Sequence, residues 1–257
     1  MNPLYTLSGF VVGALVGLTG VGGGSLMTPL LVLAFGIHPA VAVGTDLLYA
    51  AATKGAGAFV HGLRGTVAWR ITGLLALGSV PATAATIFGL SRLGVTGHEG
   101  SRVICVVLGI GLLLTAVALV FRKAIQGFAA ARVRTLRPRQ RDALTILTGL
   151  VLGVLVSLSS VGAGAVGVTV LILLYPELPT ARIVGSDIAH AVPLTLVAGL
   201  GHWMLGSVNW SLLGSLLLGS IPGIFVGSNM AVRLPEKVLR PVLAATLALV
   251  GTRLVIP

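Results

Sequence analysis

Long apolar stretches, separated by short clusters of polar and glycine residues, set the rhythm of the chain. Runs free of Asp, Glu, Lys and Arg cover residues 1–45, 71–91, 103–121, 143–176 and 188–232. Several exceed the roughly 20 residues that a helix needs to span a bilayer. The runs resolve into eight hydrophobic segments, near residues 5–35, 40–62, 70–91, 102–122, 142–175, 181–204, 210–232 and 237–256. This pattern predicts an all-α polytopic membrane protein. No basic region precedes the first apolar run, so a cleaved signal peptide is not expected.

The segments repeat. "GALVGLTGVGGGSL" from Gly13 matches "GVLVSLSSVGAGAV" from Gly153, and "AVGTD", "HGLRGTVAW" and "LALGSVP" return as "IVGSD", "HWMLGSVNW" and "LLLGSIP". Gly22 thus corresponds to Gly162, Gly24 to Gly164, Pro39 to Pro179 and, after a one-residue insertion, Asp46 to Asp187, Gly65 to Gly206, Trp69 to Trp210 and Pro81 to Pro222. The chain divides into a first membrane repeat, 1–122, a basic cytoplasmic loop, 123–141, and a second membrane repeat, 142–257. Transporters are commonly built from two such halves, with the site near the membrane midplane between them.

The first segment of each half carries a glycine cluster, and basic-residue placement bears on its course. If all eight segments cross, the two sides hold ten and six of the basic residues other than Lys54. If the glycine-bearing segments enter and return as hairpins, the split becomes thirteen to three. The stronger bias favours re-entrant hairpins, each followed by three transmembrane helices. Three crossings per half make the repeats inverted. Non-helical backbone at membrane depth survives only where protein or a water-filled cavity covers it. The expected tips, at Gly22, Gly23, Gly24 and Ser25 and at Ser160, Gly162 and Gly164, would offer helix N-terminal N–H groups to an anion. Close packing through small residues is the competing account.

Composition adds three exclusions. The formal net charge of +11 suggests a nucleic-acid binder. However, seven basic residues fall within 122–141 and no aromatic-interleaved motif accompanies them, so the charge reads as a cytoplasmic loop near anionic lipid. The single Cys105 excludes an intramolecular disulfide. Five histidines without H-x-x-x-H spacing give no metal site, and no phosphate-binding loop is present, so no cofactor is expected.

The glycine cluster, the P-x-x-x-x-G-T-D step, "HGLRGTVAW" and "LGSVPATAAT", each echoed in the second half, resemble the sulfite exporter TauE/SafE family over essentially the whole chain. The resemblance implies a multi-pass carrier in a bacterial-type inner membrane, moving sulfite, sulfonates or related anions. The chain departs from the common pattern in having Asp46 where many members have Ser. With Cys105 alone, the members that relay thiosulfate between cysteines are a poor guide.

Lys54 is the one basic residue deep in an apolar segment. A cation there is costly and marks substrate-anion contact, unless its stem lets it snorkel to the membrane edge. Asp46 and Asp187 read as gate residues or proton carriers, or as acceptors for hairpin-tip N–H groups. Thr45 and Ser186, beside them, are expected substrate contacts. His190, one turn from Asp187, either titrates with it or makes an interhelical hydrogen bond. His61, His202, Trp69 and Trp210 read as helix-end and membrane-interface residues.

Together these features point to a secondary transporter, exporting a small oxyanion or organosulfur anion across the plasma membrane. Its partners are that anion and the bilayer, with a homodimer left open and nucleic acid excluded. An anion channel, and more distantly an intramembrane enzyme using Asp187 and His190, are the alternatives. The topology is testable by cysteine labelling in a background lacking Cys105. Cysteines at Asn2 and Pro257 should react with an impermeant reagent added to intact cells, and one at Thr135 should not.

Overall fold

The computed structural model describes residues 3–19, 24–93, 98–133, 137–162, 164–230 and 236–255. Among these residues, ten helices run in order: α1 (Pro3–Thr19), α2 (Gly24–Leu33), α3 (Pro39–Leu63), α4 (Trp69–Leu93), α5 (His98–Val133), α6 (Pro138–Ser159), α7 (Ala165–Leu174), α8 (Thr180–Met204), α9 (Trp210–Met230) and α10 (Glu236–Val255). Five elements in the first half correspond to five in the second. Each half opens with a long helix, a break and a 10-residue helix. Ten residues rise only about 15 Å, half the hydrocarbon thickness.

Among the described residues, four stretches are long and apolar enough to cross a bilayer: Trp69–Arg92, Arg102–Phe121, Pro138–Ser159 and Thr180–Met204. Large apolar side chains such as Phe59, Phe88, Ile221 and Leu249 are more than half exposed on the outer surface, as lipid contact requires. The protein is an all-helical, multi-pass membrane protein.

The basic segment 123–141 differs from the expected loop. Helix α5 continues to Val133, and α6 starts at Pro138, so most of the segment is helical. Its composition explains this, since "RKAIQGFAAARV" is dominated by Ala, Arg, Lys and Gln, all good helix formers. Elsewhere the expected segments and the helices agree within a few residues. Proline and glycine set the boundaries: Pro39 opens α3 at its first turn, and Gly65 and Gly206, with φ of +65° and +73°, stop α3 and α8.

The two halves interlock. Helix α1 packs mainly on α9, and α6 mainly on α4, so each opening helix lies against the fourth helix of the other half. Both pairs are parallel: Gly9 and Gly13 meet Leu216 and Ser220, while Gly149 and Gly153 meet Leu75 and Ser79. The remaining principal pairs join equivalent helices. Helix α3 runs antiparallel to α8, with Gly44 near the C-terminal end of α8 and Gly185 near that of α3. Helices α5 and α10 are antiparallel too, since Gly109 lies by Val255 and Leu112 by Gly251.

These crossings depend on glycine. A Cβ at Gly219 would collide with the Thr6 carbonyl, and one at Gly78 with the Ile146 carbonyl. Nothing lies within 4 Å of a Cβ at Gly73. Gly219→Ala should therefore destabilise the purified protein by about 1–3 kcal/mol through overpacking. Gly73→Ala should be neutral or stabilising by up to ~1 kcal/mol, the helix-propensity gain. Thermal unfolding of the two variants side by side checks the contrast.

Candidate functional site at the crossing of α3 and α8

The repeated Gly-Thr/Ser-Asp triplets of α3 and α8 each face three neighbours. Gly44 lies against the Ser207 carbonyl and the His202 side chain, and Gly185 against the Thr66 carbonyl and His61, where no Cβ fits. Thr45 Oγ1 accepts the Asn209 N–H at 3.1 Å, and Ser186 Oγ accepts the Ala68 N–H at 2.8 Å. Those donors precede α9 and α4, so each hydroxyl satisfies an N–H at the start of a helix in the other half. Asp46 accepts the Thr28 hydroxyl of α2 at 2.5 Å. Asp187 borders the Gly164 N–H that precedes α7, and its Oδ1 rests against Gly167.

The aspartates thus hold the two returning arms. Asp187 faces the N–H that precedes α7. Asp46 instead takes a side-chain hydroxyl one turn inside α2. Both carboxylates are buried, and the Oδ1 atom of each has no hydrogen-bond partner.

The second break is built for reversal. Ser160 adopts a left-handed conformation (φ 58°), and Gly162 and Gly164 both have φ of 121°. A non-glycine residue in that region costs about 1–2 kcal/mol. The Ser160 N–H closes α6 on the Val156 carbonyl at 2.7 Å, and the Gly167 N–H returns to the Gly162 carbonyl at 3.2 Å. The Ser160 side chain is buried with its hydroxyl beside the Asp46 carboxylate. In the first break, Gly22 and Gly23 lie outside the described residues; Gly24 and Ser25 form the first turn of α2.

Lys54 stands eight residues beyond Asp46 on α3. Helical side chains lean toward the N-terminus. The half-buried Lys54 accordingly lies within charge–charge range of Asp187, Asp46 and His190. His190 Nε2 pairs with Ser79 Oγ of α4 at 2.8 Å, while its Nδ1 has no partner. The hydrogen-bonded Asp187–His190 dyad that an intramembrane enzyme would use is therefore not formed. Tyr49 takes the place of His190 in the first half, facing Ser220 as His190 faces Ser79.

Several placements differ from expectation. Thr45 and Ser186 are engaged in holding α9 and α4. His202 is fully buried, its Nε2 2.9 Å from the Ser157 carbonyl of α6. Its neighbours Trp203 and Trp210 are half-exposed and stack edge to face. Thr28, Ser79, Ser220 and Asn209 were not singled out in sequence. For the two serines a signal existed, the shared "LGSVP" and "LGSIP". Among the described residues no group of three His, Cys, Asp or Glu is placed to hold a metal ion.

The family model for the sulfite exporter TauE/SafE matches residues 5–254. The chain is 38% identical over 264 residues to a probable membrane transporter protein, YjnA, of Bacillus subtilis, covering 99% of this chain and 100% of that one. It is 27% identical to the probable membrane transporter protein YdhB of the same organism, covering 96% of this chain and 98% of that one. It is 26% identical to the probable membrane transporter protein MJ0441 of Methanocaldococcus jannaschii, covering 97% and 93%. No solved structure matches.

The Thr28–Asp46 bond ties the first returning arm to α3. Thr28→Val, which keeps the shape, should cost about 1.5–3 kcal/mol, the worth of a hydrogen bond to a charged group. Asp46→Asn still accepts from Thr28 and should cost less. Chemical or thermal unfolding in detergent ranks the two.

Proposed function

Since the chain belongs to the sulfite exporter TauE/SafE family and is a membrane transporter, we propose that it carries a small sulfur oxyanion or organosulfur anion out of the cell across the plasma membrane. The observation that carries this reading is the position of Lys54. Its ammonium lies within charge–charge range of two buried carboxylates, Asp187 and Asp46, on the central antiparallel pair. Lys54 is the one full positive charge at that depth, and helix N-termini add about half a charge each.

An entering anion competes with Asp187 and Asp46 for Lys54. Two carboxylates and one ammonium leave the cluster one charge negative. Taking Lys54 from them therefore favours uptake of a proton by a carboxylate or movement of a returning arm. Either event links substrate binding to a change at the hairpins. Ser160, whose hydroxyl lies beside Asp46, is a neutral donor that could join Lys54 when the anion enters. Gly162 and Gly164, both with φ of 121°, give the second break the backbone freedom to turn toward an anion. With the cell interior negative, an anion runs outward down its electrical gradient, so export needs no coupling ion.

We read the halves as inverted repeats with re-entrant hairpins. The antiparallel courses of α3 with α8 and α5 with α10 support this, because an even number of crossings per half would set them parallel.

The test is a binding and transport screen in proteoliposomes with sulfite, thiosulfate, sulfate, taurine, sulfoacetate and simple carboxylates. Saturable efflux of a sulfur anion is expected; indifference to all of them overturns the assignment. Lys54→Met should weaken binding of the transported anion about 10–100-fold, and Lys54→Arg should retain part of it. Unchanged dissociation constants in both folded variants would remove Lys54 from the site.

A further inference from the structure

A cavity of about 480 Å³ opens where the N-terminal ends of α4, α6 and α8 meet the C-terminal end of α7. Three guanidinium groups, Arg70, Arg141 and Arg182, and two carboxylates, Asp142 and Glu177, line it. Arg70 pairs with Asp142 at 2.6 Å, and Arg141 with Glu177 at 2.6 Å. Arg182 belongs to neither pair, so three cations against two anions leave the wall one charge positive. The Arg141 side chain is 23% exposed against 52% for Glu177, and its Nε is buried without a hydrogen-bond partner. The arginine is the fixed member of that pair and the glutamate the movable one.

The repeat sharpens the point. Glu177 corresponds to Ile37 in the first half, Arg70 to Ser211 in the second, and Arg182 falls opposite Val41 or Ala42 across the insertion. The equivalent end of the molecule therefore lacks this charge. Both halves fold the same way without it, so the arginines answer to something met on one side only.

The cavity wall is also bonded to the Gly-Ser-Asp triplet of α8. Ser186, which accepts the Ala68 N–H, donates to the Arg182 carbonyl at 2.6 Å. Asp187 lies five residues further along α8, about 7.5 Å along the axis.

We infer that this cavity is a second oxyanion site, separate from the Lys54 cluster. A sulfonate, sulfite or phosphate group pairs with Arg182 and displaces Glu177 from Arg141, so Glu177 acts as a tethered competitor. The planar guanidinium fork matches two oxygens of such a group. Soluble anions and anionic lipid headgroups share this chemistry.

Calorimetric titration of the full chain in phosphatidylcholine nanodiscs, with methanesulfonate and with inorganic phosphate, tests the site. Arg182→Gln should weaken binding about tenfold or more. Glu177→Gln, which frees Arg141, should strengthen it several-fold. Both residues are exposed, so folding should be unaffected. Lys54→Met should leave this binding step in place, which separates failure here from failure of the transport reading. If only phosphatidylglycerol in mixed nanodiscs binds, with the same response to both variants, the occupant is a lipid headgroup. If neither soluble anion nor phosphatidylglycerol responds to Arg182→Gln and Glu177→Gln, the inference is overturned.

Discussion

A broken helix inside a bilayer leaves N–H and C=O groups that lipid cannot satisfy, at several kcal/mol apiece. The fold answers this with two aspartates. Asp187 borders the Gly164 N–H that precedes α7, and Asp46 anchors α2 through Thr28. Both sit on the central helices, α3 and α8. Lys54, on α3, lies within charge–charge range of both carboxylates. The polar centre follows from the need to end helices in hydrocarbon.

The surrounding helices are shaped to bring that centre together. Glycines on α1, α9, α4 and α6 let backbones touch where Leu or Val would hold them apart. Gly44 and Gly185 do the same for the loops that end α8 and α3. The residue after each glycine, Thr45 or Ser186, steadies a helix start, and the next, Asp46 or Asp187, holds a hairpin arm. Three consecutive side-chain positions on a helix point about 100° apart, so one triplet serves three neighbours.

The helices were legible because their limits are written in hydrophobic runs punctuated by proline and glycine. The repeat was legible because packing glycines, capping hydroxyls and aspartates are demanded twice by the same geometry. Partnership was less visible. Nothing in the periodicity of α1 says that its glycines face α9, some 200 residues later. The acceptor roles of Thr45 and Ser186 were not visible because the N–H groups they satisfy lie across the molecule. His202 read as an interface residue because its helix-end position conceals the α6 carbonyl packed over it. The helical course of 123–133 was masked by its charge, which speaks of membrane side and not of backbone conformation.

The exchange of opening helices between halves has a consequence for biosynthesis. Helix α6 emerges when α4, its partner, has already been made. Helix α1 ends at Thr19, but α9 begins only at Trp210, about 190 residues later. At about 5–20 residues per second, the ribosome takes roughly 10–40 s to supply it. Through that interval the glycine-lined flank of α1 faces lipid or the insertion machinery. Two hairpins that are equivalent in the finished molecule therefore have unequal childhoods: one docks on arrival, the other waits for nearly the whole chain.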